Sequence, residues 1–206
     1  MSRALALAVA AILQAHPLPA AAGLEAVASR PVLLHVRPGD SDVSFRIRKW
    51  GVLTVTGRFA DLGGEVLFDE ARPEASRVSI EVRVASVRTG EEARDRTLQS
   101  EDFFHASRFP AMTFVSTSVS RLPDGRASVT GDLTIRGVAR RITVPVTFHG
   151  PTEDPDAGLL AGFETAFRID RREFGVLGSR WSGGKAILGT EIEIRLFVAT
   201  SERRPR

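Results

Sequence analysis

Apolar and polar residues alternate with a period of two over most of the chain. The clearest example is residues 78–84, VSIEVRV, in which every second side chain is valine or isoleucine and the intervening ones are polar. Successive side chains of a β-strand point to opposite faces, so this alternation predicts a strand with one buried face. Comparable runs occupy residues 42–48, 52–59, 63–68, 112–119, 127–136, 141–149, 162–170 and 191–198. They predict an all-β protein of about eight antiparallel strands without a long amphipathic helix.

Strands that each have one apolar face bury those faces together, and either a sandwich or a closed barrel achieves this. Periodicity alone does not choose between the two. Asp124-Gly125 lies between two alternating runs and predicts a tight hairpin. Residues 150–158 are only of loop length, so a single barrel or sandwich domain is predicted over residues 40–199. Residues 23–39 are then an N-terminal extension, and residues 200–206 a charged tail.

The first 22 residues have the features of a secretory signal peptide. Arg3 supplies a positive charge, residues 4–13 an apolar stretch, and residues 20–22 three alanines at which cleavage is expected. An N-terminal amphiphilic helix is the alternative, since ten apolar residues are too few to span a bilayer. The signal predicts a periplasmic or secreted protein. The sequence contains no cysteine, which excludes disulfides, thiolate metal sites and a lipid-modified cysteine anchor.

The charge composition gives no indication of a nucleic-acid partner. The 28 basic residues exceed the 25 acidic ones only slightly, and just two of them, Lys49 and Lys185, are lysines. No run of basic residues is interleaved with aromatic ones, as nucleic-acid surfaces usually require.

Residues 89–105 interrupt the strand pattern. Thr89 and Glu92 have the spacing of a capping box, which predicts a short helix that begins near Gly90, and Ser100 is a candidate cap for a further turn. We expect a helical crossover at residues 90–105 whose Phe103 and Phe104 plug or line one end of a barrel. Arg94 and Arg96 are expected either to pair with nearby carboxylates and hold the crossover or to contact a ligand.

Several stretches, in order, resemble the YceI-like family of exported lipocalin-like barrels, also called polyisoprenoid-binding proteins. They are SDVSFRIRKWGVLTVTGRFADLGGEVLFD (41–69), SVRTGEEARDRTLQSEDFF (86–104), FPAMTFVST (109–117), VTGDLTIRGVARRITVPVTF (129–148) and AGFETAFRIDRREFGV (161–176). The resemblance implies an eight-stranded antiparallel barrel whose apolar pore holds a long isoprenoid lipid, either quinone-like or polyprenyl. It also allows a homodimer and transient contact with a membrane. Where family members commonly carry histidines, this chain has Asp40, Trp50 and Arg136.

The side chains on the inward faces, together with aromatic residues at the barrel rim, are the candidate ligand-binding residues. An uncharged lining can select a hydrocarbon by length and shape but does not recognise a polar substrate. The alternative is that these side chains form an ordinary dry core, which is the usual role of apolar strand faces. The candidates are Phe45, Ile47, Ile80, Val82, Phe103, Phe104, Met112, Phe114, Val144, Phe163, Phe167 and Ile192, with Trp50 and Trp181 at the rim.

Catalytic and metal-binding motifs are absent from the sequence. Residues 178–186 have neither the spacing of a phosphate-binding loop nor that of a nucleophile elbow. The four histidines are scattered and form no zinc-binding pair. Asp102 and His105 are the one pair that could perform acid–base chemistry on a lipid held in the pore. A lipid-modifying enzyme and a secreted interaction module that uses basic loops are therefore the alternatives to a lipid-binding protein.

Overall fold

The computed structural model describes residues 30–178, 182, 183, 185 and 187–205. The signal-like residues 1–22 and Trp181 lie outside the described residues. Within the described residues, eleven strand segments and one α-helix follow one another. They are β1 (Val32–Val36), β2 (Asp42–Lys49), β3 (Leu53–Phe59), β4 (Leu62–Phe68), β5 (Arg77–Arg83), β6 (Val87–Arg88), α1 (Glu92–Gln99), β7 (Ala111–Arg121), β8 (Ala127–Ile135), β9 (Val138–Asp154), β10 (Gly158–Asp170) and β11 (Leu188–Ser201).

The eleven segments form eight strands of a closed antiparallel barrel. β2 pairs with β3 and β1 pairs with β4, so β1 and β2 form the first barrel strand and β3 and β4 the second. β4 also pairs with β5 and β3 with β6, so β5 and β6 form the third. Each of the first three barrel strands is therefore made of two segments separated by a bend. β11 pairs with both halves of the first strand, β1 and β2, and this pairing closes the ring. The predicted eight-stranded antiparallel barrel is confirmed.

The paired strands of the barrel extend beyond residues 40–199 at both ends. β1 lies within residues 23–39, which we expected to be an extension, yet it pairs with β4 and β11 and buries Leu34 and Val36. At the other end β11 continues to Ser201, inside the expected tail. The short run VLLHV was missed because Leu33 and Leu34 are adjacent apolar residues and break the alternation.

Because the barrel strands run alternately up and down, their connections fall at two ends. The helix end, as we name it, carries residues 50–52, 89–110, 136–137 and the described residues between 171 and 187, and the opposite end carries residues 69–76, 122–126 and 155–157. The Asp124–Gly125 hairpin is confirmed between β7 and β8, where the Leu122 N–H donates to the Arg126 carbonyl at 2.7 Å. At the helix end, Arg136 and Gly137 join β8 to β9 in a two-residue turn with φ of 52° and 75°.

The crossover is helical as predicted, but the capping box is wrong. Glu91 is the N-cap residue of α1, and its side chain makes no capping hydrogen bond. Instead the Asp95 carboxylate reaches back and accepts from both the Thr89 N–H (2.8 Å) and the Thr89 hydroxyl (2.6 Å). Gly90 has a φ of +80°, so the chain turns before the helix starts and Thr89 lies outside the capping position. The arginines pair on the helix surface, Arg94 with Glu91 and Arg96 with Glu92.

Tight packing is concentrated near the helix end of the barrel. Phe103 from the crossover and Phe174 from the β10–β11 connection are buried against Phe59, Leu62 and residues of the neighbouring strands. Two smaller clusters of buried side chains lie elsewhere in the wall. Several inward aromatic rings are only partly buried, and the interior is hollow between them.

Candidate ligand cavity

A cavity of about 610 Å³ runs through the barrel. Every barrel strand contributes to its wall, because the period-two alternation turns one set of apolar side chains inward on each strand. Ligand pockets in proteins usually measure about 300–1,000 Å³, and this volume falls within that range.

Twelve of the fourteen candidate residues lie in the wall of this one cavity. Trp50 does not, because the turn between β2 and β3 directs it outward and leaves it exposed. Trp181 lies outside the described residues. The twelve that the structure brings together are Phe45, Ile47, Ile80, Val82, Phe103, Phe104, Met112, Phe114, Val144, Phe163, Phe167 and Ile192.

The aromatic side chains of the wall retain accessible surface although they point into the barrel. Phe45, Phe114, Phe163 and Phe167 are each only partly buried. In a dry core such rings would be covered by one another, since protein interiors pack as densely as organic crystals. Their remaining surface faces the cavity, which argues against the filled-core alternative.

Two groups of rings shape the cavity near its ends. At the helix end the Phe59 ring lies 5.6 Å from that of Phe45 and 5.8 Å from that of Phe104, measured between centroids. Toward the opposite end Phe148 lies 4.7 Å from Phe68 and 5.6 Å from Phe163. Aromatic pairs at these separations are favourable beyond their buried area, so they hold the wall in place without a ligand.

Charged residues meet the cavity mainly at its two ends. Lys49, Glu91, Arg94 and Arg171 do so at the helix end, and Asp69, Glu70, Arg121 and Arg126 at the opposite end. Glu164 on β10 also contributes to the wall, and its carboxylate lies 3.3 Å from the His149 ring nitrogen. The cavity wall is thus mostly apolar along its middle, and its charged groups are concentrated at the two ends.

Arg171 organises the helix end, and sequence reasoning did not single it out. Its guanidinium donates to the carbonyls of Val176 (2.6 Å), Leu177 (2.5 Å), Leu188 (3.3 Å) and Gly189 (2.8 Å). Burial lowers the pKa of Arg171 from its ordinary value. All four acceptors lie in or beside the β10–β11 connection, so this one side chain fixes the loop that borders the cavity.

A second arginine and a neighbouring aspartate support the same region. Arg136 donates to the carbonyls of Gly175 and Glu101. It thus ties the β8–β9 turn to the β10–β11 connection and to the crossover. Asp170 accepts from the guanidinium and the N–H of Arg172, and these hydrogen bonds lower the pKa of its carboxyl from the ordinary value. In the sequence, the one feature that indicates these contacts is the adjacent pair of basic residues, Arg171 and Arg172.

The candidate acid–base pair lies outside the cavity. Neither Asp102 nor His105 contributes to its wall. His105 has a φ of 53°, and its ring packs edge-on against Phe109 with centroids 5.8 Å apart. Among the described residues no group of three or more histidine or acidic side chains is placed to hold a metal ion. The same residues include no helix with the length and apolar character needed to cross a membrane.

Known proteins share both the sequence and the fold. The UPF0312 proteins of Pseudomonas savastanoi pv. phaseolicola and Pseudomonas fluorescens are 38% and 43% identical to the chain over 136 and 138 residues. These matches cover 66% and 65% of this chain and 71% and 70% of the relatives.

Solved structures agree with these sequence matches. Burkholderia cenocepacia BcnA superimposes with a TM-score of 0.72 at 27% identity, over 80% of this chain and 98% of BcnA. The Campylobacter jejuni YceI protein has a TM-score of 0.65 at 27% identity, over 76% and 90% of the two chains. A polyisoprenoid binding domain from Saccharophagus degradans shares the fold, with a TM-score of 0.63 at 13% identity over 84% and 99%.

The family model of the YceI-like domain matches residues 34–199. This range includes the whole barrel except the first two residues of β1 and the last two of β11. This range agrees with the stretches from which the resemblance was identified. The chain belongs to the YceI-like family.

Proposed function

We propose that the protein binds a long-chain isoprenoid lipid with its hydrocarbon tail in the barrel cavity, and carries or stores that lipid in the periplasm. The observation that carries the proposal is the hollow apolar interior of about 610 Å³, in which the aromatic rings keep accessible surface. Family membership and binding-domain neighbours favour binding over catalysis. A domain with the same fold is described as polyisoprenoid binding, so the fold is compatible with such a ligand.

The cavity volume limits how much of a lipid is enclosed. The volume of about 610 Å³ falls within the range of pockets that enclose a drug-sized ligand. A tail longer than the cavity would extend beyond the enclosed space at one end of the barrel, where the charged residues of the wall lie.

Energetics favour a carrier or a store. Burial of hydrocarbon from water is worth about 0.8 kcal/mol per methylene, so a prenyl tail of about forty carbons would formally gain about 30 kcal/mol, more than any real complex reaches. A lipid tail that leaves a membrane is already out of water, so its transfer into the cavity is nearly neutral. Selection then depends on the shape of the cavity and on the polar groups at its ends. Residues 1–22, with their signal-like pattern, motivate the periplasmic location.

The test is native mass spectrometry, with organic extraction, of protein purified from a bacterial periplasm without detergent. We expect one prenyl lipid per barrel. Phe114 and Val115 are neighbours on β7, but Phe114 lines the cavity and Val115 is exposed. Phe114→Glu should therefore abolish the adduct while Val115→Glu keeps it, because only the first places a carboxylate in the cavity.

If Phe114→Glu does not fold, a variant that fills part of the cavity with an apolar side chain tests the same proposal. Val146 lines the cavity, and Val146→Trp would occupy part of its volume without adding charge. A folded Val146→Trp protein should carry less lipid than the wild type. An unliganded wild-type barrel after detergent-free purification would contradict the proposed function, as would equal loading of both β7 variants.

A further inference from the structure

The turn between β2 and β3 presents a cluster of exposed apolar side chains at the helix end of the barrel. Trp50 is 59% exposed, Val52 76% and Leu53 51%, and they are nearly consecutive. Leu177 is also exposed at this end, on the loop that Arg171 holds. The other large apolar side chains that are exposed in the described residues lie singly on three different strands: Leu33, Val115 and Phe197.

The backbone of this turn is fixed, so the exposure of its side chains is built into the fold. Trp50 and Gly51 have φ of 52° and 73°, the left-handed conformation of a tight turn. The Trp50 N–H donates to the Ile187 carbonyl at 2.7 Å. These constraints keep the indole on the outside of the barrel, where it gains nothing from the protein's own core.

Positive charge lies along the two strands that lead into and out of the apolar turn. Residues 43–60 contain Arg46, Arg48, Lys49 and Arg58 and no acidic residue. Arg46, Arg48 and Arg58 are exposed, and none of them forms an ion pair within the described part of the chain. Glu193 lies opposite Arg46 on β11, but Arg195 at 3.1 Å and Arg168 at 3.8 Å engage its carboxylate.

This combination has the chemistry of a membrane-docking surface. Tryptophan is favoured at the level of lipid head groups, and aliphatic side chains are favoured just below it. Each basic residue near an anionic lipid surface adds about 1 kcal/mol of attraction, which salt weakens. The Lys49 amino group lies 4.4 Å from the centroid of the Trp50 ring, so charge and indole are presented together.

The docking surface adjoins the cavity. Ile47, Lys49 and Val55 line the cavity wall on the same two strands whose turn carries Trp50 and Val52. We propose that residues 50–53, with the basic residues of β2 and β3, insert into the interface of an anionic lipid bilayer and place the helix end of the cavity against it. This inference rests on the proposed function, because it supplies the route by which a membrane lipid would reach the cavity.

Vesicle flotation of the full chain tests the inference. The probes are vesicles of phosphatidylcholine alone and vesicles that also contain phosphatidylglycerol. We expect binding to the anionic vesicles, weak binding to the neutral ones, and loss of binding in about 0.5 M salt. Val52→Asp should weaken binding about tenfold or more, because it puts a charge where an apolar side chain enters the interface. Val115→Asp is the matched control and should bind as the wild type does, since Val115 is exposed on β7 outside this surface.

Lipid content, measured by native mass spectrometry on the same samples, separates this inference from the proposed function. Val52→Asp should keep the bound lipid, because Val52 does not line the cavity. A wild type that carries lipid but does not float with anionic vesicles would overturn the docking surface and leave the proposed function standing. A lipid-free wild type that floats, and loses flotation with Val52→Asp, would support the docking surface and contradict the proposed function.

Light scattering in solution tests the alternative that the exposed turn binds a second copy of the chain and not a membrane. The docking surface predicts that Val52→Asp leaves the molar mass unchanged. A dimeric wild type that Val52→Asp converts to a monomer, without vesicle binding by either protein, would overturn the inference and identify the turn as an interface between copies.

Discussion

Two glycines inside the barrel lie beneath phenylalanine rings of neighbouring strands. Gly57 is directly opposite Phe45 across β3 and β2, and a methyl group at position 57 would lie 2.7 Å from Cε1 of that ring. A methyl group at position 131 would lie 2.5 Å from Cζ of Phe114 and 2.6 Å from the carbonyl oxygen of Val115. Both glycines therefore allow an aromatic ring to lie flat against the wall and leave the centre of the barrel open.

The two glycines predict different effects of the same substitution. In Gly57→Ala the obstructing atoms are the end of a side chain, so we expect the Phe45 ring to turn into the cavity. Bound lipid should then decrease while the free energy of unfolding changes by about 1 kcal/mol or less. In Gly131→Ala a backbone oxygen also obstructs the methyl group and cannot rotate away, so a loss of about 1–3 kcal/mol is expected. Denaturant unfolding with lipid quantification measures both, and equal stability losses would contradict this account.

Individual residues of the cavity were predictable where they depend on local pattern. The alternation in residues 78–84 is enough to place Ile80 and Val82 inward, and it does the same for most of the wall. Trp50 was expected at the rim as a ligand contact, but the left-handed turn directs it to solvent. Arg171 was missed because its acceptors are backbone carbonyls up to 18 residues away, and a sequence carries no signal for them.

The strands β9 and β10 separate toward the helix end of the barrel. Their pairing runs from Gly158 opposite Asp154 to Glu164 opposite Thr147 and stops there. The next position of β9 that faces β10 is Pro145, which has no N–H to donate. The Thr165 hydroxyl donates to the Pro145 carbonyl at 2.7 Å, in place of a backbone bond. Beyond it, among the residues that the structure describes, β9 pairs only with β8 and β10 only with β11, so this part of the barrel wall has an open seam.

Hydrogen exchange should reveal this seam. By the alternation of strand hydrogen bonds, the amides of Arg141 and Ala166 face the seam, whereas those of Val144 and Phe167 face the neighbouring paired strand. We expect the first two to exchange much faster than the second two, because their N–H groups have no ladder partner. The measurement is amide exchange followed by NMR, and uniform protection across the four residues would contradict an open seam.

Substitution of Thr165 tests whether its hydrogen bond to the Pro145 carbonyl limits the length of the seam. Thr165→Val keeps the shape of the side chain but removes the hydroxyl, which should extend fast exchange to the last paired residues, Thr147 and Glu164. Thr130→Val is the matched control, since its hydroxyl lies 2.8 Å from that of Thr143 across an intact ladder. The control should leave exchange between β9 and β10 unchanged.

The sequence was enough to predict which elements occur, but not how the strands are divided into segments. Eight strands, the Asp124–Gly125 hairpin and the crossover followed from alternation, turn residues and the family resemblance. The division of three strands into paired segments did not, because bends such as Val84–Ser86 depend on how a closed barrel curves. The true partner of Thr89 was hidden for a similar reason: Asp95 reaches it only after Gly90 has turned the chain.

The barrel as a whole combines a fully hydrogen-bonded ring over most of its circumference with a hollow centre. Outside the seam between β9 and β10, closure pairs the strand edges, which otherwise would be exposed. The cavity, by contrast, deprives its lining of the dispersion contacts that a filled core provides. A molecule built this way is expected to be less stable when empty than when a hydrocarbon occupies it.

Removal of bound lipid should therefore lower the thermal stability. A ligand present at a hundred times its dissociation constant stabilises the folded state by about 2.7 kcal/mol. For a chain of this length each kcal/mol shifts Tm by about 2–4 °C, so extraction should lower Tm by about 5–10 °C. Calorimetry before and after extraction measures the shift, and added prenyl lipid should reverse it. In Val146→Trp the indole takes the place of part of the ligand, so the Tm of that variant should depend less on lipid. A wild-type Tm that neither falls on extraction nor rises on addition would mean that the cavity does not hold such a ligand.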